Sequence, residues 1–262
     1  MDARVDDRLG GVPTPARMEE LLQELMRGVN AMFLQSMGNT VRHGPFKGMI
    51  IPTPDEESWA DGNFSCKILG AYEFELHDAI AHAVSRNPRH VINVGCADGY
   101  YAVGLARLLP DVTVHPRDTS DVCLVTCDEF ATRNEVGMRV WPAPGCCYPE
   151  GLRITSINGH RLYVVDVEGD ELKLIDPDAC PELRRSDIIV ECHDFVDKDI
   201  SLTLANRLAK THAVEIIRAR LPLYSRYEFL SQSPGVMQVL ALTEKRPMPT
   251  LWLACWAHDH DA

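Results

Sequence analysis

The chain has 262 residues, 45% of them apolar, and a formal net charge of −12. That size allows one α/β core with an added layer. The acidic balance offers no basic stripe to a phosphate backbone, which excludes nucleic acid as the natural partner. Nine cysteines are odd in number, scattered, and free of a paired C-x-x-C zinc pattern, so they read as reduced thiols.

Residues 1–13 are charged and bear glycines, and are expected to be a disordered tail. No stretch approaches the roughly 20 apolar residues that cross a bilayer, so a soluble cytoplasmic protein without a membrane partner is expected. Thr14 and Pro15 then suit a helix cap and a first helical position. Met18, Leu21, Leu22, Leu25, Met26, Val29, Met32 and Phe33 recur three and four apart, and predict a helix over 14–37 that stops at Gly38-Asn39. Its stripe can pack on its own domain, cover a site, or join two copies as a homodimer.

Residues 43–68 are punctuated by proline and glycine and read as a long, substrate-facing loop with one short strand at Phe46 to Ile51. A helix is expected over 71–86, stopped by Asn87-Pro88. It would carry Tyr72, Glu73 and His77 on neighbouring turns. The segment 14–88 is thus an N-terminal helical extension, and 89–262 the main domain.

Residues 90–106, HVINVGCADGYYAVGLA, organise that domain. A strand (Val91, Ile92, Val94) enters a turn from Gly95 to Gly99, and a helix follows from Tyr100 until Pro110 ends it. The glycines let the backbone turn sharply and approach a ligand closely. A dinucleotide site needs G-x-G-x-x-G to seat a pyrophosphate. Gly95-Cys96-Ala97-Asp98-Gly99 lacks the third glycine, and Asp98 would repel pyrophosphate. The turn suits a phosphate-free ligand carrying an ammonium group.

These residues resemble the first motif of the class I S-adenosylmethionine-dependent methyltransferases, an acidic residue followed by G-x-G-x-G. Asn93 stands at the acidic position and Ala97 at the middle glycine, which leaves Asp98 to supply the missing charge. The resemblance implies a doubly wound, mostly parallel Rossmann-like sheet of seven strands with an antiparallel last strand. It also implies S-adenosyl-L-methionine as cofactor, held by Asn93, Gly95, Cys96, Ala97, Asp98 and Gly99, with Tyr72 and Glu73 over its methionine part.

A strand at Val112 to His115 leads to Asp118, twenty residues past Asp98. The two oxygens of a carboxylate there match the vicinal diol of an adenosyl ribose, with Thr119 alongside; nicotinamide enzymes use the same device. A helix over 120–134, a strand over 137–141 and an irregular stretch with Cys146-Cys147 as packing residues follow.

HRLYVVDVEGDE delivers Asp166 and Glu168 to a strand end, and DIIVECHDF delivers Glu191, His193 and Asp194 to another. In an open parallel sheet these ends share one crevice with Gly95 and Asp118. The runs LGAYEFEL, NVGCADGYYAVGLA, DVEGDE and VECHDF resemble the FkbM-like branch of the class I methyltransferases over residues 66–195. That likeness implies methyl transfer to an oxygen or nitrogen of a small molecule, such as a sugar or natural product. His193 is the candidate base, with Asp166, Glu168 and Asp194 as catalytic partners and Asp166 also at the cofactor.

Asp166, His193 and Asp194 could instead hold Mg²⁺. Related metal-dependent sugar O-methyltransferases carry acidic residues at both positions of the second cluster, and His193 departs from that, so no metal is expected. Two rivals remain: a nicotinamide-dependent oxidoreductase, opposed by the glycine spacing and Asp98, and a non-catalytic cofactor-binding partner subunit, opposed by the carboxylate clusters. After a helix over 197–212 and a strand over 213–217, an insertion at 219–248 carries Tyr224, Tyr227, Phe229 and a helix over 236–243. TLWLACW closes the sheet as the antiparallel strand.

Overall fold

The computed structural model describes residues 14–53, 60–145, 148–154, 158–244 and 250–259. The tail 1–13, Cys146-Cys147 and the last residues of the 219–248 insertion lie outside them. Seven strands form one sheet: β1 (His90–Val94), β2 (Thr113–Asp118), β3 (Ala143–Pro144), β4 (Arg161–Val165), β5 (Asp187–Cys192), β6 (His212–Arg218) and β7 (Leu251–Ala257). Their order is β3-β2-β1-β4-β5-β7-β6. Strands β1 to β5 pair in parallel, and β7 runs antiparallel between β5 and β6. This is the mostly parallel Rossmann-like sheet with an antiparallel last strand that was expected. From β1 the chain steps outward through β2 and β3, then returns to place β4 on the other side of β1. That reversal opens a crevice beyond the carboxyl ends of β1 and β4.

Side chains alternate across the sheet. Val91 faces one core while Ile92 and Val94 face the other. The first core gathers α1 (Pro15–Met37), α2 (Ala60–Leu69), α3 (His77–Ser85), α4 (Tyr100–Leu108), α5 (Asp121–Arg133) and α9 (Gly235–Leu242). The second gathers α6 (Glu171–Leu174) and α7 (Ile200–Leu208). The short α8 (Glu228–Ser231) sits in the insertion before α9. Helix α1 begins where the cap residues place it, with the Thr14 side chain accepting from the Arg17 N–H, and it ends at Gly38. Met26, Val29 and Phe33 are buried in the domain, while Met18 and Leu25 remain exposed. No helix among the described residues is long and apolar enough to cross a membrane.

Three expected elements are corrected. The stretch 46–51 contributes only an isolated bridge between Thr40 and Ile50, and the end of the supposed loop is helix α2. The pair Phe64 and Ile68, one helical turn apart and both buried, carries that helix. The helix expected from residue 71 starts at His77, because Gly70 (φ +69°) and Glu73 (φ +45°) adopt left-handed backbone that no helix continues through. Within residues 137–141 the chain forms a 3₁₀ turn over Gly137–Arg139 and an isolated parallel bridge from Val140 to Val114, and β3 is the two-residue strand Ala143–Pro144. Pro142 and Pro144 supply no N–H, which limits pairing there.

His115 on β2 is buried beside His90 and Trp141. Burial first, then His90 and Arg117, push its pKa down to about 4. The unfolded chain takes up this proton near pH ~6.5 and the fold does not, so stability falls as the pH drops from there toward 4, by about 2 kcal/mol at pH ~5. In urea titrations, His115→Leu is expected to lose that much less stability than wild type between pH ~7 and ~5.

Candidate functional site

The turn after β1 is shaped by close backbone approach. Gly95 has φ +73°, and a Cβ there would lie 1.6 Å from the Asp166 carbonyl oxygen. Gly99 has φ +91°, and its Cβ would meet Cys127 Sγ at 2.6 Å. Ala97 adopts φ +45°, the left-handed backbone for which a glycine is the usual choice. Asp118, at the end of β2, ties this turn to the next one: its Oδ2 accepts from the Ala97 N–H at 3.0 Å and its Oδ1 from the Ser120 N–H at 2.9 Å. Each oxygen keeps a lone pair for a further donor. Thr119 beside it is exposed. Cys96 is buried, and its hydrogen bond to Cys127 together with burial pushes the thiol up, so it is a neutral group.

Asn93 is buried at the end of β1. Its Nδ2 donates to the Val164 carbonyl at 3.3 Å, and its Oδ1 has no hydrogen-bond partner among the described residues. A buried acceptor left in that state costs free energy until a donor arrives. Asp98 is placed differently from its expected role. Its Oδ2 accepts from Lys67 Nζ at 2.5 Å and its Oδ1 from the Tyr100 N–H at 3.1 Å, all within the buried interior. Lys67 lies over the rings of Tyr72 and Tyr100, at 5.2 and 5.4 Å from their centroids. The Asp98 charge is therefore matched inside the fold, not held out to a ligand.

Tyr72 and Glu73 lie on the turn before α3, not on the helix. The Tyr72 ring meets Tyr100 edge-on at 5.0 Å. Glu73 is buried and accepts from the Tyr101 hydroxyl, and its N–H donates to Glu244 Oε1 at 2.7 Å. The insertion thus reaches this wall through Glu244.

The second cluster converges on His193. Its Nδ1 lies 2.6 Å from Glu171 Oε1. Its Nε2 faces Glu168 Oε2 at 3.3 Å, Asp166 Oδ1 at 3.6 Å and Glu191 Oε2 at 3.9 Å. Burial lowers the His193 pKa, but the Glu171 hydrogen bond and the charges of Glu171, Glu191 and Glu168 outweigh it and raise the value above the ordinary one. Asp166 moves up too, pushed by burial and then by Glu191, Glu73 and Glu168, and its Oδ1 has no hydrogen-bond partner among the described residues. Asp194 does not join them. Its carboxylate accepts from the Ser201 N–H at 2.9 Å and Ser201 Oγ at 2.7 Å, at the start of α7. One ligand atom from each of Asp166, Glu191 and His193 lies within 4.8 Å of the others, so Glu191 takes the place in this cluster that was assigned to Asp194. Carboxylate and imidazole donors suit a hard or borderline divalent cation.

Sequence reasoning missed Lys67, Glu171 and Glu244. Only Glu171 carried a signal, as the last residue of D-V-E-G-D-E.

No protein-family model matches this chain, and no curated protein matches it. Solved structures do. The O-methyltransferase TomG from Streptomyces achromogenes, involved in tomaymycin synthesis and solved in complex with SAM, is similar with a TM-score of 0.52 and 13% identity over 90% of this chain and 98% of its own. Cofactor-bound Rv0187 from MTB is similar with a TM-score of 0.51 and 12% identity over 96% of this chain and 100% of its own. The likeness at these identities is one of fold, and the fold of this chain is the Rossmann-like methyltransferase fold.

Proposed function

We propose that this protein is an S-adenosyl-L-methionine-dependent methyltransferase of the FkbM-like branch, acting on an oxygen or nitrogen of a small molecule. The observation that carries this is the buried, unpartnered Asn93 Oδ1 at the end of β1, beside a turn that only glycine-like backbone can make. An ammonium group would satisfy that oxygen. Asp118 at the neighbouring strand end keeps lone pairs for both ribose hydroxyls. The complex of TomG with SAM supports the same cofactor.

When bound, the cofactor supplies a methyl group on a sulfonium that is already activated. The chain must orient the acceptor and receive its proton. His193 Nε2 is the atom for this, since Nδ1 is engaged by Glu171. With the methyl supplied by the cofactor, His193 Nε2 would receive the proton that the acceptor gives up. Glu168 and Asp166 flank that nitrogen, and the charges of Glu168, Glu191 and Glu171 stabilise the cation that forms. Asp194 acts at one remove, by fixing the start of α7.

A second reading is favoured by the Asp166, Glu191 and His193 ligand atoms. A divalent cation held there would bind the acceptor, and Glu171 on the far nitrogen of His193 is the outer carboxylate such ligands commonly have. Incubation with methyl-labelled S-adenosylmethionine and a panel of hydroxyl and amine acceptors, with and without Mg²⁺, tests both. Labelled product is expected, with a loss of about 100-fold or more in His193→Ala while S-adenosylhomocysteine still binds. Dependence on Mg²⁺ would favour the second reading. Cofactor binding with no transfer to any acceptor would favour a non-catalytic partner subunit.

A further inference from the structure

We infer that Glu171 is a positioning residue that fixes the His193 ring, so that Nε2 and not Nδ1 is presented to the crevice. This rests on the methyltransferase reading for its purpose, but its geometry stands alone. Gly169 has φ +114°, and a Cβ there would press on Val196 Cγ1 at 2.9 Å, so the chain can fold back tightly after Glu168 only with glycine at this point. The fold-back buries Glu171 completely, at 0% exposure. Its Oε1 accepts from the Gly169 N–H at 3.0 Å and stands 2.6 Å from His193 Nδ1, while Oε2 has no hydrogen-bond partner among the described residues.

Burying a carboxylate in this way is costly unless a charge or a strong donor compensates it. Among the described residues, the compensating group in contact with Oε1 besides that N–H is the imidazole. An ionised carboxylate only accepts, so Nδ1 must carry the hydrogen, and in the neutral ring Nε2 is left with its lone pair. Phe195 holds the ring from a second side, with centroids 5.5 Å apart and the planes at 78°. Nε2 then faces Asp166, Glu168 and Glu191 in the crevice. Free neutral histidine prefers its hydrogen on Nε2, so the arrangement enforces the less common tautomer.

The test is ¹⁵N NMR of the full chain with labelled histidine, in buffer alkaline enough to neutralise the ring, with His193→Gln to assign the signal. Wild type is expected to show Nδ1–H and an unprotonated Nε2. Glu171→Leu should revert to Nε2–H or to averaged shifts, and Glu171→Asp, which keeps the charge on a shorter arm, should retain part of the Nδ1–H form. Wild type with Nε2–H, or Glu171→Leu with Nδ1–H unchanged, would overturn the assignment. If Glu171→Leu does not fold, the wild-type tautomer and Glu171→Asp decide. S-adenosylhomocysteine titrated into the same wild-type sample separates the two levels. The expected tautomer without cofactor binding would leave the positioning role standing and remove the methyltransferase reading.

Discussion

Gly95→Ala is expected to yield little folded protein, and none that binds S-adenosylhomocysteine. The added Cβ would lie 1.6 Å from the carbonyl oxygen of Asp166, and the φ of +73° disfavours any side chain. The obstructing atom is backbone. It belongs to the residue whose own N–H donates to the Val94 carbonyl at 2.9 Å, so β4 can move aside only by breaking its pairing with β1. The left-handed backbone alone costs about 1–2 kcal/mol. Displacing a central strand pair adds enough to consume most of the ~5–15 kcal/mol that holds a domain together. Circular dichroism and soluble yield are the readouts. Ala97→Gly, in the same turn and already at φ +45°, is the control, and its unfolding free energy from urea titration should stay within about 1 kcal/mol of wild type.

Asp187→Ala is expected to destabilise the protein by about 3–5 kcal/mol while leaving cofactor binding intact. Asp187 begins β5, at the opposite end of the sheet from the crevice, and is 1% exposed. Its Oδ2 lies 2.6 Å from Arg86 Nε and 2.9 Å from His160 Nε2, and its Oδ1 accepts from the Ala257 N–H at 3.0 Å. One carboxylate thus joins the end of α3, the approach to β4, and β7. Its loss leaves the mostly buried Arg86 guanidinium without its anion, and the melting temperature should fall by roughly 10 °C. Burial works to raise the Asp187 pKa, but His160, Arg86 and the Ala257 N–H together hold it below the usual carboxylate range. Its contribution is therefore complete above the unfolded value near ~4 and is lost as pH falls through the lower folded value. The variant should lack that acid-side loss.

Much of the sheet was legible in sequence because its signals are local. Apolar runs mark β1, β4 and β5, with glycine turns after the first two, and the three-and-four spacing marks α1. The misread elements have non-local or unusual causes. Glu73 in left-handed backbone ends a helix pattern that its neighbours support, and nothing in its residue type announces this. Asp194 follows His193 in sequence, yet it turns to Ser201 and leaves the cluster to Glu191. Asp98 looked free because its partner Lys67 is 31 residues away, and the link between Glu73 and Glu244 spans 171 residues. Glu171 was within reach, since the turn at Gly169 folds it back toward the strand end.

The most direct measurement is calorimetric titration with S-adenosylhomocysteine on wild type and Asp118→Ala. Binding near the micromolar level, about −8 kcal/mol, is expected for wild type. Asp118→Ala should weaken it by about tenfold or more, because the ribose hydroxyls lose their acceptor and the Ala97 N–H loses its tie to β2. No binding by wild type, with NAD bound in its place, would contradict the methyltransferase assignment.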